Sequence, residues 1–230
     1  MPTQKDHDLD KLKEDILKMG AAVEDQIRKS VKALVERDRD LAQLVMDGDT
    51  VVNTYDVEIE EECIRFIALW QPTGSNLRFV TTAIKIITDL ERMGDMAVDI
   101  CERAVELMEE PPLKPYIDLP RMAEASQKML KDSLDAFLAR DAELALRVCE
   151  ADDFVDNLNQ QIFNELIMYM LKEPQTISRA MRLTAIAKYL ERVGDHATNI
   201  AEMVVYMVKG KVIRHMTCDA MRKKADERTE

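Results

Sequence analysis

Two stretches of the chain carry the same string of charged residues within otherwise apolar sequence. Residues 90–102 read LERMGDMAVDICE and residues 190–202 read LERVGDHATNIAE, so the two copies align without a gap at an offset of 100 residues. Acidic or amide side chains recur at every fourth position of each copy: Glu91, Asp95 and Asp99 in the first, and Glu191, Asp195 and Asn199 in the second. Carboxylates at this spacing follow one side of a helix, where their oxygens can bind a metal cation.

The glutamate of each copy is predicted to lie within the apolar face of its helix. At about 100° per residue, Glu91 and Glu191 project into that face, and Asp95 and Asp195 project to its edge. An unpaired carboxylate there is costly, so each glutamate must be protonated, paired with a cationic side chain or bound to metal. The side chains considered for an ion pair are Arg92, Arg78 and Lys85 in the first half, and Arg192, Arg182 and Lys188 in the second.

A second row of polar oxygens is predicted on the helix that precedes each motif. It consists of Asp49, Asn53 and Asp56 in the first half, and of Asp152, Asp156 and Asn159 at the equivalent places in the second. Carboxylates that face each other across two helices repel unless cations lie between them, and the arrangement occurs twice. Oxygen-rich sites suit iron, manganese, magnesium or calcium better than structural zinc. The first half is the better predicted metal site, because Asn199 replaces a carboxylate in the second.

The remaining residues of the motif are assigned structural roles. Gly94 and Gly194 face the bundle in mid-helix, where glycine costs about 1 kcal/mol relative to alanine, so we expect close helix approach beside the acidic rows. Arg92 and Arg192 are expected to balance charge. His196 is expected to be a surface residue, because a methionine occupies its place in the first copy.

No arrangement of residues in the sequence predicts catalysis. There is no Ser-His-Asp or Cys-His set and no glycine-rich phosphate loop, so we expect a protein that is not an enzyme. A carboxylate-bridged di-metal enzyme of the ferritin-like kind would need Glu-x-x-His pairs, which neither motif copy supplies. A metal-free structural adaptor with salt-bridged acidic rows is the other alternative.

Composition favours a helical protein in the cytoplasm. Of the 230 residues, 47% are hydrophobic, 33% charged and 5% aromatic, which is typical of an all-α protein. The net charge of -12 argues against nucleic acid or an anionic membrane as a partner. No apolar run approaches the roughly 18 residues of a membrane span, and the N-terminus lacks the apolar core of a signal peptide. The four scattered cysteines predict buried thiols rather than disulfides or a zinc site.

Apolar periodicity predicts six long helices in two homologous halves. The predicted helices span about 9–37, 40–70, 76–109, 121–139 and 142–172, and a last one ends near 209. Tight turns make consecutive helices antiparallel, so each half is an up-down three-helix bundle. The predicted domains are residues 1–110 and 121–210, separated by a proline-rich linker at 111–120 and followed by a charged tail at 211–230.

These features together resemble the PhoU family of phosphate-uptake regulators. The resemblance covers about residues 8–210. Besides the duplicated half, it rests on QPTGSNLRFVTTAIKIITDLERMGD at 71–95 and on KEPQTISRAMRLTAIAKYLERVGD at 172–195.

Membership of that family implies a function beyond what the residues themselves indicate. It implies a negative regulator of phosphate uptake and of phosphate-starvation signalling, often a homodimer. Such a protein is expected to link the ATPase subunit of the phosphate ABC transporter to a sensor histidine kinase, and to reach the membrane only through those partners. The resemblance also implies metal ions (iron, zinc, manganese or magnesium) bound through an E/D-xxx-D pattern. Glu91, Asp95 and Asp99 match this pattern, as do Glu191 and Asp195, whereas Asn199 departs from it.

Overall fold

The computed structural model describes residues 3–213 and residue 220, and the described part of the chain contains helices and no strand. Its elements are α1 (Gln4–Glu36), α2 (Arg39–Trp70), α3 (Gly74–Leu107), α4 (Asp118–Ala139), α5 (Ala142–Lys172) and α6 (Ile177–Lys209), with a 3₁₀ turn at Pro174–Thr176 before α6. The prediction of an all-α protein with six long helices is confirmed.

The turn between the first two helices of each half is built from an arginine followed by an aspartate. Arg37 and Arg140 end α1 and α4 in the left-handed conformation, with φ of 56° and 53°. Asp38 then caps α2 by accepting a hydrogen bond from the Leu41 N–H, and Asp141 caps α5 in the same way. Aspartate is favoured at this place because its carboxylate satisfies a backbone N–H that has no partner within the helix.

Two helix starts differ from the prediction. Helix α1 begins at Gln4 rather than near residue 9, because Thr3 and Asp6 form a capping box. Helix α4 begins at Asp118 rather than near 121, so the predicted linker at 111–120 ends three residues earlier, at residue 117. Pro120 lies in the first turn of α4, where the missing N–H needs no partner within the helix.

Each half forms a three-helix bundle, and the two bundles also pack against each other. Helices α1, α2 and α3 pack together, as do α4, α5 and α6, while α1 contacts α4 and α3 contacts α6. The stacked rings of Phe79 and Phe137 lie in this shared core with centroids 4.8 Å apart, and the Arg140 guanidinium carbon lies 5.6 Å from the Phe79 ring centre. The division into domains at 1–110 and 121–210 stays a prediction, but the halves have a common interface.

Arg37 ties the segment between the halves to the first bundle. Its guanidinium donates hydrogen bonds to three carbonyl oxygens after the end of α3 or at its last residue: Leu107 at 3.3 Å, Met108 at 2.6 Å and Glu110 at 2.9 Å. Because α3 ends at Leu107, these carbonyls lack the amide donors of a continuing helix, and the Arg37 side chain provides hydrogen bonds in their place; the Leu107 carbonyl also accepts from the Glu110 N–H at 3.4 Å.

Some of the other sequence predictions concern described residues, and some concern residues that the structure does not describe. Within the described residues no helix is long and apolar enough to cross a membrane. Cys63, Cys101 and Cys149 are buried thiols, as expected, while Cys218 lies outside the described residues. Gly210 ends α6 in the left-handed conformation. Most of the predicted tail at 211–230 also lies outside the described residues.

Candidate functional site

The predicted acidic rows of the first half do meet between α2 and α3. Asp49 and Asp56 on α2 are close enough to Glu91 on α3 for their charges to raise the pKa of its carboxyl group, and Asp95 is close enough to Asp49 to do the same there. We call Asp49, Asp56, Glu91 and Asp95 the first acidic cluster.

Burial is the main reason why the pKa values of Asp49, Asp56 and Glu91 in the first acidic cluster are raised. Desolvation raises the pKa of Asp49, and the negative charge of Asp95 adds to it. The Asn53 amide opposes this rise by donating a hydrogen bond from Nδ2 to Asp49 Oδ2 at 2.8 Å. Desolvation also raises the pKa of Glu91, mainly assisted by Asp95 and opposed by Arg92. Each rise means that the folded protein resists placing another negative charge in the cluster.

Asp99 lies apart from these four residues, toward the second half of the molecule. It is half-buried, and desolvation raises the pKa of its carboxyl group, with Glu102 and Asp95 adding to the rise. Arg103 on α3 and, to a smaller extent, Arg192 on α6 oppose the rise. Arg192 therefore balances charge as expected, but it does so on the motif of the other half.

The second half forms an equivalent cluster between α5 and α6, made of Asp152, Asp156, Glu191 and Asp195, which we call the second acidic cluster. Desolvation raises the pKa of Asp152 to about 7, helped by the charges of Asp156, Asp195 and two further acids. Desolvation also raises the pKa values of Asp156 and Asp195, and in both cases Glu191 is the largest electrostatic contributor. Asn199 is exposed, and no described contact joins it to the cluster.

The two central glycines, Gly94 and Gly194, leave space for these carboxylates. This agrees with the expectation that helices approach closely at the two glycines. A Cβ atom added to Gly94 would lie 3.4 Å from Asp49 Oδ1, and one added to Gly194 would lie 3.3 Å from Asp152 Oδ1. Both of these oxygens are buried and have no hydrogen-bond partner within the described structure. Beside its central glycine, each cluster therefore holds a buried carboxylate oxygen in a space that a larger residue would fill.

The predicted ion pair forms in the second half only. Lys188 pairs with Glu191, whereas no ion pair involving Glu91 occurs among the described residues. Arg78 instead donates to the Met207 carbonyl oxygen at 3.0 Å, and Arg182 donates to Glu106 at 2.6 Å. Glu91 and Glu191 are both half-buried rather than enclosed by apolar residues, so the prediction that these two glutamates lie within the core was wrong. Projection of a single helix does not show how far the neighbouring helices cover a side chain.

His196 is also not the surface residue that was expected. Its Nδ1 lies 2.7 Å from Asp89 Oδ1, and both side chains are only 16% exposed. The pair joins α6 to α3 and so connects the two halves. The sequence contains no signal for it, because the two residues belong to different halves and occupy non-equivalent positions of the repeat.

The donors of both clusters have the right chemistry for a hard cation. Carboxylate and amide oxygens are the ligands preferred by magnesium, calcium and manganese. The orphaned oxygens of Asp49 and Asp152 fit such an ion. Among the residues that the structure describes, however, no three or more His, Cys, Asp or Glu side chains are arranged to hold a metal. Side-chain rotation would be needed to complete a coordination shell.

The description "PhoU domain" belongs to a family model that matches residues 4–104 and 119–204. The chain belongs to the PhoU family. Each matched PhoU segment contains one acidic cluster, so the duplicated motif is part of the family's own repeat. A protein of Aquifex aeolicus named "phosphate-specific transport system accessory protein PhoU homolog" is 43% identical over 208 residues, which cover 90% of this chain and 94% of that protein.

Solved PhoU structures have the same fold. The crystal structure of PhoU from Pseudomonas aeruginosa superposes with a TM-score of 0.86 at 39% identity, covering 90% of this chain and all of that one. The phosphate transport system regulatory protein PhoU from Streptococcus pneumoniae superposes with a TM-score of 0.85 at 31% identity, covering 91% of this chain and 99% of that one. The architecture of two tandem three-helix bundles is therefore that of the family.

Proposed function

We propose that this chain is a metal-binding regulator that represses phosphate uptake and phosphate-starvation signalling. In this role it links the ATPase subunit of a phosphate ABC transporter to a phosphate-sensing histidine kinase. The names of its relatives support the connection with phosphate-specific transport. The observation that carries the metal-binding part is the repeated acidic cluster with a buried carboxylate oxygen that lacks a partner.

The residues that would hold metal in the first half are Asp49, Asp56, Glu91 and Asp95, with Asn53 and Asp99 at the margins. In the second half they are Asp152, Asp156, Glu191 and Asp195, with Asn199 further out. A bound cation would supply positive charge between two helices whose facing carboxylates otherwise repel. The protein's own contribution is to hold the acidic rows side by side and to leave space beside each glycine.

The regulatory proposal treats the protein as an adaptor rather than an enzyme. In the described part of the chain, His196 is the histidine nearest to a cluster, and it is hydrogen-bonded to Asp89. The residues three positions after Glu91 and Glu191 are glycines, so the ferritin-like di-metal arrangement lacks its histidines. Nothing in either cluster places a nucleophile beside a base.

A metal-free structural adaptor is the second candidate. The ion pair of Lys188 with Glu191 favours it in the second half, because this lysine already supplies a positive charge there. The absence of metal-binding geometry among the described side chains favours it as well.

Elemental analysis separates the two candidates. Untagged protein prepared without chelator is expected to carry metal, and Glu91→Gln with Asp95→Asn is expected to lower the content by about the share of one site. The control Glu61→Gln with Asp135→Asn removes the same charge from exposed positions and should leave the content unchanged. A metal-free wild type would establish the structural adaptor.

Docking requires its own measurement. Under high phosphate the protein should co-purify with the transporter ATPase subunit and with the cytoplasmic portion of the kinase, and it should sediment as a homodimer. We place it in the cytoplasm because those partner surfaces face that compartment. Failure to bind either partner would remove the mechanism of repression while leaving metal binding to be judged by the elemental analysis.

A further inference from the structure

A buried glutamine on α1 points its amide toward the first acidic cluster. Gln26 is only 7% exposed, and its Oε1 is buried without a hydrogen-bond partner in the described structure. A Cβ atom added to Gly94 would lie 3.3 Å from this oxygen and 3.4 Å from Asp49 Oδ1. Oxygens from α1 and α2 therefore converge on one point beside the central glycine of α3.

With the amide oxygen facing Asp49, such an arrangement is unfavourable unless a cation lies between the two oxygens. Glutamine is mostly found at the surface, and a buried amide oxygen that lacks a partner costs free energy. Here a carboxylate oxygen, also without a partner, approaches the same point, which adds repulsion between two acceptors. A cation bound between them would satisfy both oxygens.

The second half lacks this amide. Met129 on α4 occupies the place of Gln26, with its Cε 3.7 Å from the position of a Cβ on Gly194. Asp152 Oδ1 approaches that glycine as Asp49 Oδ1 approaches Gly94, so the carboxylate is common to both halves. The first cluster thus has the neutral amide oxygen of Gln26 beside its glycine, whereas the second has the thioether of Met129 at the same place.

We propose that Gln26 is a cation ligand contributed by a third helix, which makes the first-half site selective for a hard divalent cation such as Mg²⁺ or Mn²⁺. This inference rests on the proposed metal-binding function. Amide oxygens are regular ligands of hard cations, whereas thioethers are soft ligands that hard cations disfavour. The first half therefore binds Mg²⁺ or Mn²⁺ more tightly than the second, although both halves carry four carboxylates in their clusters.

Titration of the full chain with Mn²⁺, followed by the electron paramagnetic resonance signal of the free ion, tests this assignment. Asp152→Asn with Asp195→Asn disables the second half, so that the titration reports on the first. In this background, Gln26→Met is expected to weaken Mn²⁺ binding about tenfold or more. Far-UV circular dichroism checks that the helices persist. Unchanged affinity in a folded Gln26→Met variant overturns the role of Gln26 while leaving the proposed metal function intact.

Reciprocal and conservative variants sharpen the test. With the first half disabled by Asp49→Asn and Asp95→Asn, Met129→Gln should strengthen Mn²⁺ binding by the second half. Gln26→Glu should retain binding, because it keeps an oxygen at the same place. A background protein that binds no Mn²⁺ even with Gln26 intact would overturn both this inference and metal binding by the first half.

Crystals loaded with Mn²⁺ provide the direct observation. The anomalous signal should place the ion between about 2.0 and 2.6 Å from Gln26 Oε1, as for oxygen ligands of hard cations. The result that would contradict the proposal is an ion bound elsewhere, with the Gln26 amide turned so that its Nε2 donates a hydrogen bond to Asp49. Gln26 would then be a hydrogen-bond donor to that carboxylate and not a ligand.

Discussion

The ionisation of Asp152 should make the metal-free protein less stable at neutral pH than in mild acid. Burial and neighbouring acids raise the pKa of this carboxyl group from its usual 3.8 to about 7 in the folded chain. The folded state therefore retains a proton that the unfolded state has already lost. Because stability falls with pH wherever the folded state binds more protons, the contribution of Asp152 is complete below pH 3.8 and is lost as the pH rises through 7.

The size of this effect follows from the two pKa values. One pKa unit corresponds to about 1.4 kcal/mol, so the interval from 3.8 to about 7 sets an upper limit of about 4 kcal/mol. Asp152 is half-buried and Asp156 and Asp195 are exposed, so solvent and salt screen part of the repulsion between these acids. We expect about 2 kcal/mol in a measurement at moderate salt.

The substitution Asp152→Asn removes this ionisation with little change in shape. In the presence of a chelator, urea unfolding followed at 222 nm should give wild type and variant stabilities that differ only slightly at pH 4.5, where the unfolded carboxyl group has begun to ionise. The variant should become the more stable by about 2 kcal/mol at pH 8. Asp135→Asn, on an exposed side chain of α4, is the matched control and should keep the wild-type pH profile. Parallel profiles for wild type and Asp152→Asn between pH 4.5 and 8 would refute the reasoning.

Three further predictions concern packing and the joint between the halves. Gly94→Ala should be less stable than Gly194→Ala by about 1 kcal/mol in urea unfolding, because its Cβ would meet three atoms within 3.4 Å rather than one, and equal stabilities would contradict this. A double-mutant cycle with His196→Ala and Asp89→Asn should show a coupling free energy of about 1 kcal/mol between these two side chains, which belong to different halves. Additive effects of the two substitutions would contradict this prediction. Arg37→Lys should lower the free energy of unfolding by about 1 kcal/mol, since lysine lacks the planar fork that serves three carbonyls; unchanged stability would show that these hydrogen bonds contribute nothing.

Much of the fold could be predicted because long amphipathic helices place apolar residues at a regular spacing in the sequence. The apolar periodicity located all six helices, and Ala142 and Lys172 were correct to the residue as the ends of α5. The errors lie where local chemistry overrides that pattern. The capping box of Thr3 and Asp6 extends α1 toward the N-terminus through polar sequence. The four prolines of 111–120 predict a linker, but Pro120 lies in the first turn of α4, where proline is tolerated.

The candidate site could be predicted only as far as the repeat defines it. Offsets of 100 and 103 residues placed carboxylates on neighbouring helices, and the structure brings Asp49 near Asp95 and Asp152 near Asp195. Gln26 could not be found in this way, because it lies on α1, outside the duplicated motif, and the equivalent residue of the second half is the apolar Met129. A buried polar position on the apolar face of α1 was the available signal, since glutamine interrupts the spacing of Val23, Ile27 and other core residues there.

Contacts between the halves explain the remaining differences, because the repeat contains no information about the seam between α3 and α6. Asp99, the last of the three acids along the first motif, is half-buried, and Arg103 on its own helix and Arg192 of the second motif oppose part of the rise in the pKa of its carboxyl group. The Asp89–His196 pair crosses the same seam. Asp99 in turn lies close enough to Asp95 of the first acidic cluster for their charges to interact. Asp99 therefore interacts electrostatically with the first acidic cluster through Asp95 and with the second motif through Arg192.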